Sequence, residues 1–379
     1  MKLIILHPIL PAYRKDFFEM LNKQLKQKDI ELTVIHGTSF FNKSINTDTD
    51  PKYSAIPLLT KEYNFLGYRI VRWKGIYNKI KNIKPDMVII LFSPGNLTFW
   101  FVQMYCYLHK IKVGIWSNGS VRKGITGLKR KIRGFFLNFF LFRAYFHICY
   151  GSKYKKELLA LGIEESKVFV AQNTINIEKI LSLHTGRKHA PSGEYFNFLS
   201  VGALIREKNL DLAIRALAKL TREGYKIHFN IIGKGTIIEE LRTLVKEEKM
   251  EENIFVLGYK SDKEIPSYFF NADVFLLTGM GGLAVNEAMA YGLPIISTVA
   301  DGTIVDLLFE GKNGYYLNKI PDFDNIYEVC KKTLQNSKTQ LWEMGNLSRQ
   351  IVTEKAPLSN MVNKFEKAIL YGMGNPVDV

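Results

Sequence analysis

Strand-like and helix-like segments alternate along this chain, and the alternation begins again after a polar stretch. Short apolar runs such as KLIIL and DMVIIL are separated by segments whose apolar residues have helical spacing. Continuous apolar strands between helices are typical of a parallel sheet covered on both faces. The polar segment 182–195, SLHTGRKHAPSGEY, predicts a linker. The sequence therefore predicts an α/β protein with two Rossmann-like domains that meet near residue 185.

Length and charge also favour two domains with different partners. A chain of 379 residues is longer than one ordinary core accommodates. Residues 1–190 carry 31 Lys+Arg against 12 Asp+Glu, whereas the remainder carries 21 against 24. The whole positive excess thus lies in the first half, which indicates a partner with negative charge for that half.

The basic residues of the first half concentrate in the segment 121–160. Ten of its residues are Lys or Arg, Glu157 is its only acid, and it includes an aromatic and aliphatic run from Phe135 to Phe146. One interpretation is a segment that rests on an anionic membrane surface. The other is a core helix with a solvated basic start. No nucleic-acid-binding motif accompanies the charge, so we expect no nucleic acid partner.

The cysteines and the apolar segments of the sequence point to no disulfide, metal site, secretory signal or membrane span. Three well-separated cysteines, Cys106, Cys149 and Cys330, predict neither a disulfide framework nor a metal site. The first residues favour a strand over a secretory signal, and no apolar run reaches the roughly 20 residues that span a bilayer. We therefore expect a soluble or peripheral protein.

Glycines mark the loops that follow the predicted strands of the second half. Two glycine sequences, Gly233-Lys234-Gly235 and Gly281-Gly282, stand directly before predicted helices. Ligands of an open parallel sheet bind at the carboxyl ends of its strands. Glycine lets an anion approach the free N–H groups of a helix start, although it is also common in tight turns. The recurrence of the pattern predicts a phosphate-binding edge.

Three charged residues accompany these loops. Arg206 and Lys208, after the first strand of the second half, are candidate cations for a diphosphate, or else surface charges. Glu287 stands five residues beyond Gly282, where a carboxylate can accept the hydroxyls of a ribose. The alternatives for Glu287 are an interaction with the helix dipole or a buried pair with a basic residue.

With these residues assembled, segment 196–320 resembles the donor-binding domain of the GT-B glycosyltransferases of the retaining family 4 (group 1). The matching pieces, in the family's order, are VGALIREKNLDLAIRAL, IIGKGTIIEEL, IFVLGYKSDKEIPSYFFNADVFLLTG, GGLAVNEAMAYGLPIIST and ADGTIVDLLFEGKNGYYL. The first half is similar more faintly, through HPILPAYRKDFFEML, PDMVII and QNTIN. The resemblance implies an acceptor-binding domain over 1–185 facing a donor-binding domain over 186–355 across a cleft. Residues 356–379 would then form a helix that crosses back to the first domain.

The resemblance also implies roles for individual residues. Glu287 would bind the ribose, Lys208 helped by Arg206 would neutralise the diphosphate, and the backbone of Gly281, Gly282 and Leu283 would face the diphosphate or donor sugar. Gly233 and Gly235 would lie along the nucleotide, with Gly258 and Tyr259 near its base. The predicted acceptor-side residues are His7, Tyr13, Arg14, Asn118 and Arg122. His7, at the exit of the first strand, is either an acceptor-side base or the cap of a turn.

Three positions depart from the family pattern. Gly279 stands where the family usually has the first of two glutamates, the one that touches the donor sugar. Ala203 replaces a common arginine, and Asn118 replaces a histidine in a segment that often ends in Trp-x-His-Gly. These differences predict rearranged contacts to the donor sugar.

The function implied is transfer of a hexose or modified hexose from a nucleotide-diphosphate sugar, with retention of anomeric configuration. The acceptor would be a lipid-linked or polysaccharide glycan at the cytoplasmic face of the inner membrane, during polysaccharide or lipopolysaccharide assembly. No Asp-x-Asp stands at the end of a predicted strand, so we expect no required metal or other cofactor. The alternatives are an inactive, nucleotide-binding relative in a membrane complex, and a nucleotide-sugar epimerase, which needs acidic and His clusters that the first-half loops lack.

Overall fold

The computed structural model describes residues 1–39, 50–65, 68–92, 96–119, 134, 137–183, 192–299 and 302–375. The chain divides into two compact units. The first comprises Met1–Gln172 together with Leu358–Val379, and the second comprises Asn173–Pro357. Among the described residues, no helix combines the length and the apolar character needed to cross a bilayer.

The first unit is built on a parallel sheet of seven strands, in the order β3-β2-β1-β6-β7-β8-β9. Two further strands, β4 and β5, form a separate antiparallel hairpin. The bounds are β1 Lys2–His7, β2 Glu31–Gly37, β3 Ser54–Leu58, β4 Thr60–Phe65, β5 Tyr68–Trp73, β6 Met87–Leu91, β7 Lys112–Ser117, β8 Phe146–Cys149 and β9 Val168–Val170. The central strands are buried on both faces, as expected for near-continuous apolar runs such as LIIL in β1.

Helices cover both faces of this sheet. They are α1 Lys15–Lys26, α2 Ile76–Ile83, α3 Leu97–Leu108 and α4 Ser152–Leu159, with a further helical stretch over 137–143. In α1, Phe17, Phe18, Leu21 and Leu25 are spaced so that they share one face, and all four are buried. The apolar spacing thus explains why this segment is helical and which face it turns to the sheet.

The second unit repeats the design with six parallel strands in the order β12-β11-β10-β13-β14-β15. The strands are β10 Phe196–Val201, β11 Ile227–Ile232, β12 Ile254–Gly258, β13 Val274–Leu277, β14 Ile295–Ser297 and β15 Gly314–Tyr316. The helices are α5 Ile177–Leu183, α6 Leu210–Arg222, α7 Ile238–Glu247, α8 Ile265–Asn271, α9 Leu283–Ala290, α10 Phe323–Leu334 and α11 Lys338–Lys355.

In both sheets the first strand lies near the middle, and the strands that follow it in the chain are added first on one side of it and then on the other. The second and third strands of each unit follow on one side, and the later strands follow on the other. This is the Rossmann order, and ligands bind at its switch point, where the two directions diverge. The switch points lie between β1 and β6 in the first unit and between β10 and β13 in the second. The predicted pair of Rossmann-like domains is confirmed.

The last helix, α12 Leu358–Met373, belongs to the core of the first unit. Its Phe365 ring lies 4.8 Å from the ring centroids of both Phe17 and Trp116. Near its end, Gly372 faces Phe146, and the space there is too small for a side chain. The predicted return of the last helix to the first domain is therefore confirmed.

The two units separate at Asn173, before the predicted boundary at residue 185. The reason is a hydrogen-bonded tie, because the buried Asn286 amide of α9 donates to Asn173 O and to Thr174 Oγ1, each at 3.1 Å. This tie holds the residues before α5 within the second unit. Most of the predicted linker, residues 184–191, lies outside the described residues.

Other elements were not predicted from the sequence. The β4–β5 hairpin, with the sequences TKEYNF and YRIVRW, lacks the continuous apolar runs of the sheet strands. The aromatic run that ends at Phe146 gives helical residues 137–143 and then the first residue of β8. The basic segment before it, residues 120–133, lies outside the described residues.

Candidate active site

The loops after β10 and β13 meet at the switch point of the second sheet. Met280 donates its backbone N–H to Glu207 O at 3.0 Å. Thr278 Oγ1 donates to Lys208 O at 2.6 Å, and Asn209 Nδ2 donates to Thr278 O at 3.2 Å. These bonds join the two loops into one rigid edge at the place where a Rossmann sheet binds its ligand.

Gly279 is the closest point between these loops. A Cβ built on it would lie 2.1 Å from Glu207 O and 2.5 Å from Lys208 Cα. Thr298 Oγ1 also donates to Gly279 O at 3.1 Å, which holds this backbone from the other side. Because no side chain fits here, the glutamate that the family carries at this position has no place in this arrangement of loops.

Lys208 brings its ammonium group into this edge. A Cβ on Gly281 would lie 2.4 Å from Lys208 Nζ, and a Cβ on Gly202 would lie 3.6 Å from it. The amine therefore lies between the glycines that follow β10 and β13. Glycine at these two positions leaves the cation accessible to an anion that also meets the backbone.

Arg206 has a different position, although it stands in the same short 3-10 turn as Lys208. Its Nη2 donates to both carboxylate oxygens of Glu240 on α7, at 3.0 and 2.8 Å. Both side chains of this ion pair are largely exposed. The two cations predicted together thus have separate neighbours, with Lys208 among the glycines and Arg206 on the surface of α7.

The predicted nucleotide glycines lie beside this edge. Gly233 has a φ of 155°, and a Cβ there would lie 1.7 Å from Gly202 O. Gly235 is similarly close to Leu204 O, and Gly233 N donates to Gly258 O at 2.9 Å. The three loops after β10, β11 and β12 are therefore packed backbone against backbone.

Tyr259 follows Gly258 and presents its ring at the surface. The Lys234 ammonium lies 4.1 Å from the centroid of this ring, and the ring is about half exposed. An exposed aromatic face next to a cation is a suitable stacking surface for a planar base.

Glu287 lies in the second turn of α9, which begins at Leu283 after Gly282. Burial, with a smaller contribution from the Asp262 carboxylate, raises the pKa of Glu287 to about 7. Burial also raises the pKa of Tyr291 to about 12, with smaller contributions from the Glu287 and Asp262 carboxylates. Within the described ranges no residue donates a hydrogen bond to the Glu287 carboxylate. Its two oxygens are thus acceptors for a ligand.

On the first unit, His7 ends β1 at the other switch point. Its Nδ1 is hydrogen-bonded to Ile9 O, and its ring contacts Phe18 and Trp116. Burial, with Arg14 as a second cause, lowers the pKa of His7 to about 3. The imidazole is therefore neutral at physiological pH and only 4% exposed.

The other predicted acceptor-side residues have different surroundings. Arg14 is 1% exposed, its guanidinium lies over the Trp116 ring at 5.2 Å, and Nη1 donates to Met361 Sδ at 3.5 Å. Tyr13 is about half exposed and Asn118 is half-buried just after β7. Arg122 lies outside the described residues.

Sequence reasoning missed several residues that organise the site. Thr278 joins its loop to Lys208 O, Thr298 holds the Gly279 backbone, and the Asp262 carboxylate contributes to the raised pKa of Glu287. A threonine directly after an apolar strand, as in LLTG, was an available signal for Thr278. In the part of the chain that the structure describes, no group of three His, Cys, Asp or Glu side chains is arranged to hold a metal ion.

Comparison with known proteins finds a family match that lies mostly within the second unit. Residues 185–345 match the family model of the Glycosyl transferases group 1. The putative colanic acid biosynthesis glycosyltransferase WcaL of Salmonella typhimurium is 32% identical over 42% of this chain and 40% of its own length. The amylovoran biosynthesis glycosyltransferase AmsK of Erwinia amylovora is 30% identical over 43% and 41%, respectively. The chain thus spans about two fifths of the length of these curated relatives.

Solved structures are similar over nearly the whole chain. The lipopolysaccharide outer core galactosyltransferase WaaB has a TM-score of 0.67 at 18% identity, covering 98% of this chain and 99% of that one. Sucrose-phosphate synthase from Thermosynechococcus elongatus has a TM-score of 0.69 at 12% identity, covering 99% of both chains. Residues 185–345, most of the second unit, thus match the Glycosyl transferases group 1 family, and the chain has the fold of the GT-B glycosyltransferases.

Proposed function

We propose that this protein is a glycosyltransferase of the hexosyltransferase type that acts in cell-surface polysaccharide or lipopolysaccharide biosynthesis. It moves a hexose or modified hexose from a nucleotide-diphosphate sugar to a lipid-linked or polysaccharide acceptor, with retention of anomeric configuration. It needs no metal or other cofactor. The names of the relatives support the pathway class, since WcaL and AmsK are named for colanic acid and amylovoran biosynthesis. A solved structure of similar fold, HepE of Anabaena, contains UDP-glucose, which supports the donor class.

The observation that carries the proposal is the position of the Lys208 ammonium between Gly202 and Gly281 at the sheet's switch point. A diphosphate bound there meets a cation, exposed backbone and the start of α9 together. Such fixed positive groups stabilise the charge that develops on a leaving group far better than mobile water does. Glu287, one and a half turns into α9, accepts the ribose hydroxyls of the same nucleotide.

In the proposed reaction, the bond between the anomeric carbon and the diphosphate oxygen breaks as positive charge builds on that carbon. Lys208 compensates the negative charge that passes to the diphosphate. The acceptor oxygen then bonds to the anomeric carbon on the same face, and its proton passes to the departing phosphate oxygen. Arg206 contributes to diphosphate binding only after it leaves the Glu240 carboxylate.

The first unit binds the acceptor in this proposal, through His7, Tyr13, Arg14, Asn118 and Arg122. A neutral His7 can accept a hydrogen bond from an acceptor hydroxyl. Because its pKa is about 3, we assign proton removal to the diphosphate instead of the imidazole. The positive excess of residues 1–190 suits an acceptor held at an anionic membrane surface, which we propose is the cytoplasmic face of the inner membrane.

A panel of UDP- and GDP-sugars, incubated with the purified full-length chain, tests the proposal. We expect one donor to bind and to release its nucleoside diphosphate, slowly to water and faster with a glycan acceptor. Glu287→Ala should weaken binding of that donor by roughly tenfold to a hundredfold, because two hydroxyl hydrogen bonds to a charged group are lost. Glu343→Ala, an exposed substitution on α11, is the matched control and should bind normally. If no donor binds, and Glu287→Ala changes nothing, the proposal is wrong.

The absence of a side chain at Gly279 supports a second candidate, a nucleotide-binding relative that has lost catalysis and acts within a membrane complex. The same panel separates the two functions. Donor binding that depends on Glu287, without transfer or hydrolysis of any donor, would identify the catalytically inactive protein.

A further inference from the structure

A cavity of about 270 Å³ lies at the amino end of the first sheet. It is enclosed by the last turns of α3, the start of β7 and the helical residues 137–143. Its apolar walls include Met104, Ile111, Val113, Phe139 and Phe140. The predicted acceptor residues lie at the opposite, carboxyl end of the same sheet. Strand β7 runs from Lys112, at the cavity, to Ser117, at the carboxyl end of the sheet, a length of about 17 Å. The cavity is therefore distinct from the proposed acceptor side.

Three cations line this cavity, which we call the amino-end cavity. The Arg143 guanidinium lies 3.8 Å from the centroid of the Phe139 ring and 4.9 Å from that of Tyr107. Lys112 Nζ lies 4.8 Å from the Tyr145 ring and donates to Gly372 O at 2.7 Å. Lys110 is the third cation. The ring contacts of Arg143 and Lys112 hold two of these positive charges on aromatic surfaces beside an apolar space.

The described lining of the amino-end cavity is free of acidic side chains, and the nearby Asp86 lies in an adjoining pocket that shares Lys110, Ile111 and Lys112 with it. None of the described residues that line the amino-end cavity is Asp or Glu. In the sequence, residues 87–156 contain twelve Lys or Arg and no Asp or Glu. The charge around the cavity is therefore complementary to an anion.

One buried polar atom at the cavity lacks a partner. Gln103 lines the cavity, is 3% exposed, and donates from Nε2 to Phe140 O at 2.8 Å. Its Oε1 is buried and accepts no hydrogen bond from the described residues. Unsatisfied buried acceptors are rare because they lose their hydration. A ligand that supplies a hydroxyl donor would satisfy this oxygen.

The surface around the cavity is unusually apolar. Helix α3 is apolar on all sides, yet Phe101, Tyr107 and Leu108 are each more than half exposed. Phe142, on the neighbouring helical stretch, is exposed to the same degree. Helices of this composition are normally covered, and aromatic residues next to Lys and Arg are typical of surfaces that lie in a bilayer interface.

We propose that the amino-end cavity binds one anionic phospholipid of the bilayer. One acyl chain enters between α3 and residues 137–143, and the phosphate meets Lys110, Lys112 and Arg143. A head-group hydroxyl, as in phosphatidylglycerol, donates to Gln103 Oε1. The cavity is at the small end of the range for ligand sites, so it takes a single chain and not a folded partner. This inference rests on the membrane-surface part of the proposed function but not on donor chemistry.

The test uses the full chain and two lipid probes. Dihexanoyl-phosphatidylglycerol, below its micellar concentration, reports on the cavity, and sedimentation with phosphatidylglycerol–phosphatidylcholine vesicles reports on the surface. We expect Met104→Trp, which fills the cavity, to weaken binding of the short-chain lipid at least tenfold. Lys110→Glu combined with Arg143→Glu should abolish vesicle binding. Gln103→Met should weaken short-chain binding by roughly threefold to tenfold, the effect of one hydrogen bond.

Matched controls make each outcome decisive. Lys312→Glu with Lys319→Glu, both exposed on the second unit, changes the net charge equally and should leave vesicle binding intact. The far-UV circular dichroism and the midpoint of thermal unfolding of every variant should match those of the wild type, which shows that the first unit, where the cavity lies, is folded. If Met104→Trp does not fold, Ile111→Phe replaces it in the same assay.

Three results would overturn the lipid site. These are no binding of the short-chain lipid to the wild-type chain, equal binding to dihexanoyl-phosphatidylcholine, or unchanged binding after the cavity is filled. Vesicle binding that depends on charge but not on the cavity would leave the membrane partner standing and reject the site. Failure of the donor panel, by contrast, concerns the proposed function and does not affect lipid binding.

Discussion

The two parallel sheets have the same strand order, but their switch points are constructed differently. In the second unit, glycines bring loop backbones into direct contact, and Lys208 Nζ lies between Gly202 and Gly281. In the first unit, the end of β1 is covered by side chains, with His7 packed against Phe18 and Trp116. Backbone contacts between glycines give a fixed site for an anion. Side-chain packing at the first switch point allows the side chains there to vary, which suits the acceptor side that we propose for this unit.

The largest effect that we expect is on kcat, and it tests whether Lys208 makes the second switch point a site for an anion. We expect Lys208→Ala to lower the kcat for transfer from the preferred donor by about 10²–10³, because it removes a cation aimed at the leaving group. Lys208→Arg, which keeps the charge, should retain more activity. Steady-state kinetics on both variants measure this, and a kcat for Lys208→Ala within threefold of wild type would contradict the proposed role.

The close approach of the loops at Gly279 gives the next effect. We expect Gly279→Ala to lower the free energy of unfolding by about 2–3 kcal/mol, because the new Cβ overlaps the backbone of Glu207 and Lys208. Gly311→Ala is the control, since a Cβ there meets nothing within 4 Å and only its φ of 72° is unfavourable. Denaturant unfolding compares them, and equal losses would show that the loops are not rigidly packed.

The ionisation of Glu287, in the second unit, makes the free energy of unfolding depend on pH. Its pKa is about 7 in the fold and about 4.5 as the ordinary value, so the folded state keeps a proton that the unfolded state releases. The Glu287 contribution to stability should therefore fall as pH rises from about 4.5 to 7, by about 3 kcal/mol, and stay level above that range. The lowered pKa of His7 acts in the opposite direction, equally in the wild type and in Glu287→Gln. Unfolding of the wild type and of Glu287→Gln at several pH values tests this, since the glutamine variant should lack the step.

Donor binding should show the opposite trend over the upper part of this range. The ionised carboxylate accepts hydrogen bonds from both ribose hydroxyls, so UDP affinity should rise as pH increases through about 7. Calorimetry at pH 6 and pH 8 measures it. An affinity that is independent of pH in the wild type, or an equal change in Glu287→Gln, would argue against ribose binding by this residue.

The smallest effect separates the two cations of the 206–208 turn. Arg206 forms an exposed ion pair with Glu240, and such pairs contribute about 0–1 kcal/mol. We expect Arg206→Ala to change stability by less than 1 kcal/mol and donor kcat by no more than about fivefold. A loss as large as that of Lys208→Ala would show that Arg206 leaves Glu240 and joins the donor site.

Much of the second unit could be predicted from local sequence because its signals are local. Helix α9 was predicted from GLAVNEAMA. A glycine pair before a helix indicates an anion-binding helix start in any parallel sheet. The role of Gly279 could not be derived in this way. Its backbone meets Glu207, more than 70 positions earlier, and only the folded loops bring the two together.

The first unit was harder to predict at the level of its side chains. The family resemblance implied an acceptor-side role for Arg14. In the structure Arg14 lies among Tyr13, Phe17, Trp116 and Tyr150 and contacts Met361 of the last helix. A long cationic side chain finds such surroundings only through contacts between distant segments. The amino-end cavity likewise depends on how α3 meets residues 137–143.

By itself, the sequence determined the two Rossmann-like domains, their strands and main helices, and the glycine-rich edge with Lys208 and Glu287. Apolar periodicity and glycine placement encode these features over a few residues at a time. The tertiary structure decided which cation lies among the glycines, why no side chain fits at Gly279, and where buried Arg14 and the amino-end cavity lie. These outcomes depend on distances between segments far apart in the chain, which packing sets and local sequence does not encode.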